Sequence, residues 1–208
     1  GIPVLNHSSG IGASRDKLWA LQRFASEELP IPRTAYARGA DDLHECIGTV
    51  GGPPVVLKLL QGTQGIGVMR CDTVASAESV IDVLARLHQP IIVQEYIEEA
   101  NGSDIRAIVV GEEVVAAMRR KGKDDDFRSN IHRGGTAEVI ELEDDVKRIC
   151  IDACKALDLR FAGADLLESK RGPLIIEVNS SPGLEGIEAT TGVDVAGAVI
   201  EDLEQLCS

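Results

Sequence analysis

Three groups of side chains in this 208-residue chain have the types and spacing to do chemistry. The densest lies toward the C-terminal end, where FAGADLLES and PLIIEVN alternate as two strands joined by a short KRG turn. With the turn centred near Arg171, antiparallel pairing sets Asp165 opposite Glu177, and the two-residue period of a strand carries Asn179 onto the same face. Two carboxylates and an amide oxygen then converge, a set of hard oxygen donors suited to magnesium. Apolar strands have little reason to aim acids at each other unless a cation offsets the repulsion. An exposed hairpin face with ordinary surface acids gives the same pattern, and alternation alone leaves both readings open.

The second group is Lys58 with the loop GTQGIG at 62–67. Lys58 interrupts VVLKLL in mid-strand, where a buried ammonium needs an anion, and the glycines after it offer backbone N–H groups to phosphate oxygens. The loop matches neither GxxxxGK[ST] nor GxGxxG, which disfavours both familiar nucleotide folds. A ligand-free glycine turn beside a lysine on the solvent face of an edge strand is the competing account. The third group is a basic island: residues 119–133 carry Arg119, Arg120, Lys121, Lys123, Arg128 and Arg133 against Asp124, Asp125 and Asp126. Such a reversal of sign focuses anions, although a charge run is also what a solvated loop looks like.

These residues need elements to hold them. Ser14 precedes RDKLWALQRFASEEL, whose Leu18, Leu21 and Ala25 make one apolar face before Pro30 and Pro32 end the helix. The opening GIPVLN reads as a strand. VVLKLL is β-branched and follows GGPP; residues 73–87 place Val74, Ala77, Val80, Ile81 and Leu84 on a helical stripe that leads into the strand PIIVQEYI. Residues 104–110 and 113–119 form a hairpin around a Gly-Glu turn, and 120–135 has no periodicity. A helix over 143–157, the two acid-bearing strands and a last helix from Thr190 or Thr191 to near Leu206 complete the pattern.

Composition excludes other classes. With 34 Asp+Glu against 21 Lys+Arg the formal net charge is -13, so the chain lacks the positive footprint of a nucleic-acid backbone binder. No run reaches the length of a membrane span. The five cysteines include no CxxC pair and are expected to be free thiols; Cys150 and Cys154 are spaced as one helical ligand pair, but no other thiolate or histidine groups nearby to complete a zinc site.

The segments VVLKLLQGTQGIGV, IIVQEYIEEANGSDIRAIVVG, FRSNIHRGG, FAGADLL and LIIEVNSSPGLEGIEATTG, in this order, resemble the ATP-grasp enzymes and, within them, the RimK-like ligases that add glutamate to a small-subunit ribosomal protein. The resemblance runs over nearly the whole chain. It implies an α+β fold of two lobes whose antiparallel sheets enclose a nucleotide site: 14–98 as a first lobe with the glycine-rich phosphate loop, and 99–206 as a second with a metal-binding hairpin. Residues 1–13 read as a boundary segment left by a missing N-terminal domain, because members of this family carry a further domain before these two.

The resemblance also implies roles. Lys17 and Lys58 bind nucleotide phosphate; Gly62, Gly65 and Gly67 belong to the loop that closes over it; Glu95, Tyr96 and Ile97 lie against adenine; Asp104 contacts the ribose or the nucleotide edge; Arg106 lies beside the nucleotide. Arg128, Ser129 and Asn130 serve phosphate and substrate, with Lys58, Arg128, Asn130 and Arg133 as the catalytic set and Asp165, Glu177 and Asn179 as ligands of Mg2+, or of Mn2+ in its place. The implied activity is a cytoplasmic carboxylate–amine ligase that activates a carboxylate as an acyl phosphate with ATP. Its partners would be L-glutamate and an acidic protein or peptide C-terminus, with self-association and without nucleic acid or membrane. Another ATP-grasp amino-acid or coenzyme glutamyl ligase, a carboxylate kinase, and a nucleotide-binding regulatory module are the alternatives.

Overall fold

The computed structural model describes residues 3–60, 66–86, 89–123, 127, 129 and 134–207. It is an α+β protein with two antiparallel sheets, each in its own unit: Ile31–Glu98, and Gly1–Pro30 together with Glu99–Ser208. Among the described residues no helix is long and apolar enough to cross a membrane.

The smaller unit is built on β1 (Thr34–Ala37), β2 (Val55–Leu59), β3 (Val68–Cys71) and β4 (Ile91–Glu95), in the order β1-β4-β2-β3. Alternation along β2 sends Val55 and Leu57 to one face, where Ile91 and Val93 join them under α3 (Leu43–Val50) and α4 (Val74–Arg86). The five α4 residues expected to point inward all reach this core, Ala77 and Ile81 fully buried and Val74, Val80 and Leu84 partly so. Neither β1 nor α3 was legible in the sequence, where the short TAYA strand and an eight-residue helix are weak signals.

The larger unit contains β5 (Ser103–Val110), β6 (Glu113–Lys121), β7 (Thr136–Val139), β8 (Phe161–Ser169) and β9 (Gly172–Asn179), in the order β7-β6-β5-β8-β9. The helix α5 (Asp144–Ala156) packs on β5, β6, β8 and β9, burying Cys150, Ala153 and Cys154. Further on, α6 (Glu185–Thr191) and α7 (Val195–Leu206) contribute Ile187 and Val195 to a cluster with Ile108, Val110, Ala116 and Met118. The last helix, expected from Thr190 or Thr191, starts at Val195 instead, after a separate helix α6 that ends before Gly192, whose φ of +72° a residue with a Cβ rarely adopts.

The N-terminal segment corrects two expectations. Among the described residues of the expected strand GIPVLN only Asn6 makes a bridge, to Leu159, and residues 8–15 form a helix, α1 (Ser8–Arg15), that was not expected. The next helix, α2 (Lys17–Ser26), starts afresh because Asp16 caps it, its carboxylate accepting from the Leu18 and Trp19 N–H groups. Residues 14–30, read from the sequence as part of the first lobe, belong with the larger unit, since Ala20, Leu21 and Phe24 are buried and α2 packs on α5 and β9.

Asn6 ties the segment down with every hydrogen-bonding position of its amide. Nδ2 donates to the Phe161 and Ser180 carbonyls at 2.7 and 3.0 Å, and Oδ1 accepts from the Arg160 and Phe161 N–H groups at 3.0 and 3.1 Å. Asn6→Ala is expected to cost about 1–3 kcal/mol, read as a lower denaturant midpoint at unchanged m-value.

All five cysteines are free thiols, and only Cys207 is exposed. Burial pushes the Cys150 thiol up to about 12 and raises Cys46, Cys71 and Cys154 as well. A colorimetric thiol reagent at pH 8 is accordingly expected to titrate Cys207 alone in the native protein and all five after denaturation.

Candidate functional site

The hairpin β8–β9 turns through Lys170 and Arg171, which pairs Ser169 with Gly172 and Leu166 with Ile175. Continued without interruption, that register would set Asp165 against Ile176. A β-bulge at Ile176 adds one residue to β9, so that Asp165 lies opposite Glu177 and Gly163 opposite Asn179. The bulge also lets Ile175 and Glu177 face opposite sides of the sheet, the first fully buried and the second half-buried at the site. Asp165, Glu177 and Asn179 do come together as the alternation suggested, with the turn at Lys170–Arg171 as expected and the bulge as the feature the sequence did not show.

The hairpin β5–β6 uses the same device. Its Gly111-Glu112 turn pairs Val109 with Val114, and a bulge at Val115 then pairs Ile108 with Ala116 and Asp104 with Arg120. Without it Asp104 would face Arg119, which instead joins Glu138 and Glu168 in exposed ion pairs. On the other side of β5, Arg106 pairs with Asp165. Arg106, Asp165 and Glu177 thus form a row across three strands, with Asp104 and Arg120 alongside.

The contacts within this group are specific. Arg106 donates to Asp165 from Nε at 2.8 Å and from Nη2 at 2.6 Å. Arg120 donates from Nε to Asp104 Oδ1 at 2.7 Å and from Nη2 to Oδ2, and the same Nη2 lies 3.2 Å from Asp165. Asn179 Nδ2 lies 3.3 Å from Asp165 Oδ2. Burial drives the Asp165 carboxyl toward its neutral form, but the guanidiniums of Arg106 and Arg120 outweigh it and hold Asp165 below the usual carboxylate range. Asp104 goes the other way: burial raises it, helped by the Asp165 charge, against the bonds from Arg120 and the Ser129 side chain. Asp104 spends both oxygens on Arg120 and stands beside the row on the same sheet face, supporting the second arginine. Arg120 was legible in the sequence only as one member of the basic island, since an uninterrupted hairpin would set Arg119, not Arg120, opposite Asp104.

The remaining expected residues divide by unit. In the smaller one Lys58 is half-buried on β2, which has neighbours on both sides, opposite Ile92 on β4 and Val68 on β3. The edge-strand account of this lysine is therefore excluded. It shares a face with Val56, Ile92 and Gln94, away from the α3–α4 core. Gly67 has φ +77° and accepts from the Leu59 N–H at 2.9 Å; a Cβ there would come within 2.8 Å of Leu59 Cδ1. Glu95 is buried and holds Arg33, accepting from its N–H at 2.6 Å and from Nε at 2.9 Å. The Glu95 and Tyr96 N–H groups are bonded to the Arg33 and Pro54 carbonyls, and Ile97 is buried beside them. The Arg70 guanidinium stacks 4.3 Å above the Tyr96 ring. In the larger unit Lys17 opens α2. Gly62, Gly65, Arg128, Asn130 and Arg133 lie outside the described residues.

Asp165, Glu177 and Asn179 fit magnesium by donor chemistry, since all three supply oxygen from facing or diagonal positions on one sheet face. Among the described residues no three His, Cys, Asp or Glu side chains group as cation ligands, so the set relies on the Asn179 amide for its third donor.

The RimK-like ATP-grasp domain family matches residues 14–203. A probable alpha-L-glutamate ligase of Azotobacter vinelandii is 53% identical over 205 residues, covering 99% of this chain and 68% of its own. One from Picosynechococcus is 54% identical over 200 residues, covering 96% and 66%. Among solved structures, the ATP-grasp ligase PsnB complexed with minimal precursor superposes with a TM-score of 0.78 at 25% identity, over 99% of this chain and 64% of PsnB. The chain thus spans about two thirds of the length of these relatives. The match covers both sheets and the Arg106–Asp165–Glu177 row, and the chain belongs to the RimK-like ATP-grasp domain family, the ligase family of its glutamate-ligase relatives.

Proposed function

We propose that the protein is an ATP-dependent carboxylate–amine ligase that adds L-glutamate to the C-terminal carboxylate of a protein or peptide. The observation that carries this reading is the row of Asp165 and Glu177 with Asn179 on one sheet face, in a chain more than half identical to proteins named glutamate ligases. The acceptor carboxylate attacks the γ-phosphorus of ATP, giving an acyl phosphate and ADP. The glutamate amine then attacks the acyl carbon, phosphate leaves, the ammonium proton is lost, and an amide remains. No side-chain nucleophile is needed; the protein positions anions and offsets their charge.

Lys58, with Lys17, balances the nucleotide phosphates, and Gly62, Gly65 and Gly67 let the loop after β2 approach them closely. Arg128, Ser129, Asn130 and Arg133 hold the transferring phosphoryl group and the acceptor carboxylate. Adenine is read by backbone groups of Glu95, Tyr96 and Ile97, while the Glu95 side chain holds Arg33. Asp165, Glu177 and Asn179 would hold magnesium, which would supply charge neutralisation to the nucleotide phosphates. We place the protein in the cytoplasm, as a self-associating enzyme with a ribosomal small-subunit protein tail as the acceptor.

The test is incubation with Mg2+, ATP, L-glutamate and a panel of peptides with free C-termini, following ADP release and peptide mass. Mass increments of one glutamyl residue that require ATP are expected. ADP release without ligation, or incorporation of another amine in preference to glutamate, would overturn the assignment.

A further inference from the structure

A carboxylate offers about four acceptor positions, two on each oxygen, and in this structure Asp165 Oδ2, the oxygen that faces Asn179, is approached by three donors. Arg106 Nη2 lies 2.6 Å from it, Arg120 Nη2 3.2 Å and Asn179 Nδ2 3.3 Å, while Oδ1 accepts from Arg106 Nε at 2.8 Å. A divalent cation that Asp165 shares with Asn179 joins it at Oδ2 and must displace at least one of these donors. Arg120 is poorly placed to leave: it is clamped by both oxygens of Asp104, and its departure would strand that buried carboxylate. The Asn179 contact is long, but giving it up alone would leave the cation and the Arg106 fork against the same two oxygens, in direct Coulomb repulsion. Arg106 has Asp165 as its carboxylate partner and is the more exposed of the two arginines, 18% against 10% at the side chain.

We propose that Arg106 is the counter-ion that a divalent cation displaces from Asp165, so that its guanidinium becomes available to a nucleotide phosphate only after the cation has arrived. The inference rests on the reading of Asp165, Glu177 and Asn179 as metal ligands. It makes ordered binding a property of the sheet: one carboxylate serves two cations in turn, and the fork released by the first event meets the anion of the second.

The decisive measurement uses the wild-type protein with 15N-labelled arginine, titrated with Mg2+ in the absence of nucleotide. The Arg106 Nε–H resonance, identified by its loss in Arg106→Lys, is expected to shift or broaden, while that of Arg120 keeps its position. In parallel, water-proton relaxation with Mn2+ should show Arg106→Gln binding the ion at least about fivefold more tightly than wild type, because the competing charge is gone. An Arg106 resonance that does not move at saturating Mg2+ overturns the inference, even if Arg106→Gln binds Mn2+ more tightly, since loss of a positive charge by itself would do that. Mn2+ binding indifferent to Glu177→Gln would instead remove the metal assignment, and the inference with it.

Discussion

Asp165→Asn is expected to lower turnover by roughly 10²–10³-fold and to destabilise the fold by about 3 kcal/mol, whereas Glu177→Gln should give the same loss of turnover at a cost of about 1 kcal/mol or less. The two acids face each other across β8 and β9, yet they carry different burdens. Asp165 accepts both donors of the Arg106 fork and lies 3.2 Å from Arg120, so neutralising it strands positive charge in a buried place. Glu177 is half-buried on the last strand of the sheet. The pH dependence follows from the depressed carboxyl of Asp165. A group with a lowered folded-state value stabilises above its unfolded pKa of about 3.9, and that stability is lost as pH falls through the folded value. The gap between wild type and Asp165→Asn is therefore expected at neutral pH and should close below about pH 4. Denaturant melts at several pH values with ADP-release assays on both variants separate the two roles; equal stability losses in the two would contradict this assignment.

Arg120→Met should cost about 3–5 kcal/mol and lower Tm by roughly 10 °C, because it leaves Asp104 and Asp165 side by side without the guanidinium between them. Two companions make the result specific. Adding Asp104→Asn to Arg120→Met removes the stranded charge and is expected to restore about 1–2 kcal/mol. Arg119→Met, one residue earlier on the same strand, should cost less than about 1 kcal/mol, since its pairs with Glu138 and Glu168 are exposed. Differential scanning calorimetry reads all three. A larger loss from Arg119 than from Arg120 would mean that the bulge at Val115 does not set the register.

Much of the local structure was legible in the residues. The stripe Val74, Ala77, Val80, Ile81 and Leu84 has helical spacing, and those side chains do meet the core. Alternation in GADLL and LIIEVN identified two paired strands and their acids. Less was visible at the N-terminus, where GIPVLN resembles a strand by composition but is anchored by the Asn6 amide to groups more than 150 residues away. The position of α2 was equally hidden: its amphipathic face says that it packs, but not on which sheet.

Which side chains carry the chemistry, and on which kind of element, depends on periodicity within a few residues, and the sequence by itself determined that much. Tertiary structure decided who stands opposite whom. A one-residue bulge in each hairpin, at Ile176 and at Val115, moves the charged half of each strand into a new register. That shift selects Arg120 over Arg119 as the partner of Asp104 and brings Glu177 to Asp165. Placing a bulge depends on packing both faces of the sheet at once, Ile175 and Ile108 in apolar clusters and the ion pairs fully bonded, and that balance is set by helices and strands distant in the chain.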